Sequence, residues 1–89
     1  MTYKNIICYR REPKETVSLR ELSYADGKSL TDLFYQVALS DNDADLFSRL
    51  VNLMPDYYIL VEFVAAHYIR FSLNDGKNST IYIKIKRNI

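Results

Sequence analysis

The chain contains very little that bends, crosslinks or coordinates. Its 89 residues include two glycines, two prolines, one cysteine, one histidine and no tryptophan. So little Gly and Pro leaves no low-complexity linker and no domain boundary, which makes residues 1–89 a single domain with one core. A lone Cys8 cannot close an internal disulfide and fits a reducing, cytoplasmic compartment. Within the apolar run Ile6 to Tyr9 it reads as an inert small hydrophobe. Cys8 and the single histidine, His67, are far apart, and no serine nearby makes a triad or nucleophile elbow. Metal-ligand spacing, a phosphate loop and a dinucleotide fingerprint are all missing from the sequence. The expectation is therefore a non-enzymatic protein without metal or cofactor.

Long apolar runs are missing too. A membrane helix needs about 20 apolar residues. The longest run here, Tyr57 to Ala66, is interrupted by Glu62, and the N-terminus opens no signal peptide. A soluble protein with no membrane partner is expected. The net charge of +1 selects no partner class, but its distribution is uneven. Residues 1–28 carry +2, residues 29–56 carry −4 and residues 57–89 carry +3.

What is present is mostly alternation. From His67 to Arg87, two period-two runs flank a turn cluster: Ile69, Phe71 and Leu73, then Ile81, Ile83 and Ile85, all at odd positions. This predicts a half-buried antiparallel hairpin. Paired residues share a face, so the loop must hold an odd number of residues. Pairing Phe71 with Ile81 and Ile69 with Ile83 leaves a loop of Asn74 to Asn78, with Gly76 at positive φ. It also sets Arg70 opposite Tyr82 and Tyr68 opposite Lys84. A second hairpin is expected from Tyr3 to Arg11 and Thr16 to Leu22, pairing Ile7 with Leu19, Tyr9 with Val17 and Arg11 with Glu15.

Between the hairpins, Ser29-Leu30-Thr31-Asp32 resembles a capping box, followed by Leu30, Leu33, Phe34, Val37 and Ala38 at helical spacing. That helix should end near Ser40. A second should start within Ser40 to Asp43, carry Leu46, Phe47, Leu50, Val51 and Met54, and stop before Pro55. Tyr57 to Ala66 has strand-like composition. Ala65-Ala66 is poor turn chemistry, however, so a buried helix is narrowly preferred there. The predicted fold is α+β: an antiparallel sheet built from the two hairpins, with two or three helices on one face.

Asp41, Asp43 and Asp45 match the first three ligand positions of a calcium loop, but Leu46 and Asn52 occupy its glycine and glutamate positions. Helix capping and a favourable dipole explain them better, and they form at most a secondary acidic surface. Asn78-Ser79-Thr80 matches a glycosylation acceptor, a chance match in a chain without a signal peptide.

The candidate binding face is the outer side of the last hairpin: Tyr68, Arg70, Tyr82, Lys84 and Lys86, with Arg87 near. Tyrosine beside arginine suits a protein interface. Aromatic and basic residues on a sheet also suit single-stranded nucleic acid. Eight tyrosines and four phenylalanines exceed what so small a core needs, which favours a binding surface. The expected function is a protein-binding module that occupies a larger partner, and its small size suits an inhibitor or adaptor encoded by a phage or other mobile element. The alternative is a small nucleic-acid-binding protein using the same face. A homodimer is compatible with both.

Overall fold

A computed structural model describes residues 2–10, 15–17, 30–77 and 79–88. The elements run β1 (Tyr3–Arg10), β2 (Glu15–Val17), α1 (Leu30–Leu39), α2 (Asp43–Leu53), β3 (Tyr58–Val64), β4 (Tyr68–Asn74) and β5 (Thr80–Arg87). The strands form one antiparallel sheet in the order β2-β1-β5-β4-β3. The first and last strands of the chain thus lie side by side in its interior. Both described helices cover the same face, so the fold is α+β, as the sequence predicts.

The core is the face of the sheet under the helices. Ile6 and Cys8 of β1, Ile69, Phe71 and Leu73 of β4 and Ile81, Ile83 and Ile85 of β5 are buried there. Leu33 and Val37 descend from α1, and Leu46 and Leu50 from α2. Each helix buries one i, i+4 row. Phe34 and Val51, expected in the core, lie one residue further round, about 100° away on a helix of 3.6 residues per turn. They are 43% and 40% exposed.

The sharp corner between the helices has a local cause. Ser40 Oγ donates to the Gln36 carbonyl at 2.7 Å and closes α1. Asn42 then caps α2, its side chain accepting from the Asp45 N–H at 2.9 Å. At the far end the Met54 N–H donates to the Leu50 carbonyl, immediately before Pro55. The capping-box serine expected for α1, Ser29, lies outside the described residues.

The C-terminal hairpin keeps the predicted parity but sits two residues further along. Phe71 pairs with Ile83, Ile69 with Ile85 and Leu73 with Ile81. The five-residue loop is Asp75 to Ser79. Asn74 is held in the ladder because its side chain donates to Thr80 Oγ1 at 2.9 Å and also accepts from the Gly76 N–H. Gly76 has φ +80°, as expected. A Cβ there would also sit 3.3 Å from the Tyr58 ring. Gly76→Ala should therefore lower stability by about 1 kcal/mol in a urea melt, the usual cost of a left-handed non-glycine residue.

In the N-terminal hairpin Cys8, not Tyr9, pairs with Val17, and Arg10 rather than Arg11 faces Glu15. The expected Ile7–Leu19 partner, Leu19, lies outside the described residues. An irregularity between Tyr3 and Asn5 switches the parity of β1. Tyr3, Ile6 and Cys8 all reach the core, while Ile7 and Tyr9 turn outward.

The largest correction concerns Tyr57 to Ala66. It is an edge strand, not a helix, and of its residues 58–64 only Ile59 is buried. Its turn to β4 does not depend on turn-forming residues. The Ala65 N–H donates to the Tyr68 carbonyl at 2.9 Å. Arg87, more than 20 residues away, donates its Nε to the Ala65 carbonyl and its backbone N–H to the His67 carbonyl.

Candidate binding face

No described helix covers the other side of the sheet. Strand alternation places Asn5, Ile7 and Tyr9 there from β1, Tyr82, Lys84 and Lys86 from β5, and Tyr68, Arg70 and Ser72 from β4. β3 adds Tyr58, Leu60 and Phe63, because the irregularity between Val61 and Phe63 brings Phe63 level with Arg70.

Five of the six residues expected on this face are on it. Their pairing differs from expectation: Arg70 lies opposite Lys84, Tyr68 opposite Lys86, and Tyr82 opposite Ser72. The expected contact of Lys84 with Tyr68 still forms, but as a diagonal one, with Nζ 4.5 Å from the ring centroid. Arg70 lies over Phe63 at 5.8 Å instead of over Tyr82. Phe63 packs on Tyr68 at 5.9 Å, and Tyr82 stacks on Tyr9 at 5.5 Å. Two aromatic clusters therefore cross the face, one capped by cations. Arg70 Nε is buried and has no hydrogen-bond partner among the described residues. The basic groups here are Arg70, Lys84 and Lys86, and the outward positions of β1, β4 and β5 carry no carboxylate.

Arg87 is the exception. Its odd position turns it to the helix side, where it meets the first residue of α2. Its NH1 and NH2 donate to Asp43 Oδ1 and Oδ2 at 2.6 and 2.8 Å. The Tyr3 hydroxyl donates to the same Oδ1 at 2.7 Å. The Arg87 guanidinium holds the Asp43 carboxyl below the usual carboxylate range, and Asp43 in turn raises Arg87 further. Burial first, then the neighbouring carboxylate, keeps the Tyr3 phenol protonated well above its ordinary value. This cluster clasps β1, β5 and α2 together.

The three aspartates expected as a secondary acidic surface diverge. Asp43 points at the sheet. Asp45 accepts from the Asp41 N–H at 3.0 Å and from Arg49 Nε at 3.1 Å, and is held below its ordinary range by these contacts, the N–H foremost. Asp41 is exposed. Among the described residues no group of three His, Cys, Asp or Glu side chains could hold a metal ion. An open groove of about 500 Å³ runs beside Gln36, Asp45, Ser48 and Arg49, but its two charged groups are paired with each other.

Cys8 is buried, and burial pushes its thiol up to about 12, as an inert core residue requires. His67 is exposed in the turn between β3 and β4. Asn78, the acceptor of the glycosylation match, lies outside the described residues. No described helix is long and apolar enough to cross a membrane. Tyr9, Phe63 and Leu60 are members of the face that sequence reasoning missed. Phe63 and Leu60 required reading residues 57–66 as a strand, and Tyr9 required the parity switch in β1. The chain matches no family model, no curated protein and no solved structure.

Proposed function

We propose that the protein is a small non-enzymatic binding module that acts by occupying a larger protein partner through the outer face of its sheet. The observation that carries this is the face that no described helix covers, where Arg70, Lys84 and Lys86 lie among aromatic rings without a carboxylate between them among the described residues. Rigid aromatics beside arginine are typical interface anchors. The buried Nε of Arg70, which has no hydrogen-bond partner among the described residues, favours a partner that brings an acceptor, since a desolvated donor without one costs about 1–3 kcal/mol. A partner with an acidic, partly apolar surface fits these requirements, and an inhibitor or adaptor works in this way.

Single-stranded nucleic acid is the alternative on the same face. It needs free ring faces for the bases. Lys84 lies over Tyr68, Arg70 over Phe63, and Tyr9 against Tyr82, so each platform is partly taken, which weighs toward protein.

Tyr82 is the expected anchor, mid-strand on β5 and half-buried. Tyr82→Ala should leave the fold intact and weaken partner binding by about 2 kcal/mol or more in a calorimetric titration. A salt series separates the two ligand classes. A protein interface loses affinity gently, whereas nucleic acid loses it with a log–log slope of roughly −0.7 per single-strand phosphate contacted. Unchanged binding by both Tyr82→Ala and Lys84→Ala would reduce this face to solvated sheet.

A further inference from the structure

We propose that β3 pairs antiparallel with β3 of a second copy of this chain across a two-fold axis, giving a continuous ten-stranded sheet. β3 is an edge strand, and no described residue pairs with its free side. An open edge presents unpaired N–H and C=O groups, which proteins guard with shortness, lysine, proline, bulges or cover; on β3 the one such device is the irregularity between Val61 and Phe63, beside Glu62. β3 is seven residues long, has no lysine, arginine or proline, and carries Glu62 as its one charge.

Its side chains make the same point. Tyr58, Leu60 and Phe63 on the outer face, and Val61 and Val64 on the helix side, are between 47% and 71% exposed. Apolar residues on both faces are the pattern of an interior strand, not of an edge. A strand added here must match that pattern on both faces, and β3 itself is such a strand. The acidic partner inferred for the outer face is not, because it would bring carboxylates to an edge that offers them no cation.

Size and symmetry agree with a second copy. Five half-exposed side chains of this kind offer on the order of 500 Å² per copy, or about 1,000 Å² for a pair, the lower bound of a specific interface. A two-fold pairing closes on itself, and such dimers are the commonest assemblies. It also joins the two outer faces edge to edge, with Tyr58, Leu60 and Phe63 of both copies along the seam. The two Glu62 side chains near the axis repel weakly, so Glu62→Gln should tighten the pair.

The test uses the pure protein alone, so it is independent of any partner of the outer face. Sedimentation equilibrium from micromolar to millimolar concentration should show the 10.5 kDa chain passing to twice its mass. Leu60→Lys and Val61→Lys, both at exposed positions, should each weaken the pair tenfold or more with an unchanged circular dichroism spectrum. A chain that stays monomeric to millimolar concentration, a dimer indifferent to both folded variants, or an open-ended series of larger species would each overturn the proposal. If either variant fails to fold, hydrogen exchange on the wild-type chain decides. Amides 58–64 should gain protection as concentration rises, and protection gained only elsewhere refutes the pairing.

Discussion

Phe71→Ala should cost about 3–5 kcal/mol of stability, the range for removing a fully buried aromatic ring. Phe71 is completely buried in β4, paired with Ile83 on one side and Val61 on the other. Its ring stacks on Phe47 of α2 at 6.2 Å, so it joins the two layers. A small domain holds only about 5–15 kcal/mol in total, so this single truncation leaves a marginal protein or an unfolded one. Phe34→Ala is the control: the same chemical change at a side chain 43% exposed should cost less than half as much. Urea melts of both variants check the contrast. A loss below about 1 kcal/mol for Phe71→Ala would contradict the packing, given how much apolar surface the ring buries.

Asp43→Asn should cost about 2 kcal/mol, the scale of hydrogen bonds to a charged group that is partly screened by solvent. The substitution breaks a clasp in which one carboxylate accepts from Tyr3 and from both terminal nitrogens of Arg87. It also leaves Arg87, which braces the β3–β4 turn through Ala65, without its counter-ion. The same clasp sets an acid limb. Arg87 depresses the folded-state value of Asp43, so the unfolded chain takes up this proton first as pH falls. The contribution is fully present above the unfolded value of about 4 and is lost as pH drops through the lower folded value. Wild-type stability should therefore fall below about pH 4, and Asp43→Asn should flatten much of that fall. Asp45, also held low, contributes to the fall that persists. Equal acid slopes in the two proteins would remove the clasp from the account.

The C-terminal hairpin was legible because its isoleucines and their partners allow one parity only. A one-residue slip would put Ile81, Ile83 and Ile85 in water. A two-residue slip keeps every face and exchanges one apolar partner for another, which is why alternation places the pairing two residues, and the loop one residue, from where they lie. Side-chain bonds at Asn74 and Thr80 decide that register, and alternation does not encode them. β3 was misread for a different reason. Its turn depends on Arg87, a contact between distant parts of the chain, and no local property of Ala65-Ala66 announces it. Arg87 is off the binding face because its odd position turns it to the helix side, where Asp43 holds it. Five of the six proposed face residues follow from alternation alone, while Leu60 joins them only once residues 58–64 are read as a strand, and Phe63 and Tyr9 only through the irregularities in β3 and β1. Phe34 and Val51 lie at the margin of stripes that the sequence draws wider than the helices bury.

The outer face of the sheet is proposed to hold a protein partner. The most direct measurement is a side-by-side capture from nuclease-treated lysate of cells that make the protein. The baits are the wild-type chain, a Tyr82→Ala, Lys84→Glu double variant and an Asp41→Asn control on the helix side. The expected result is a protein retained in near-equal amounts by the wild type and the control and lost from the double variant. Retention of the same protein by the double variant, or recovery of nothing once nucleic acid is digested, would contradict it.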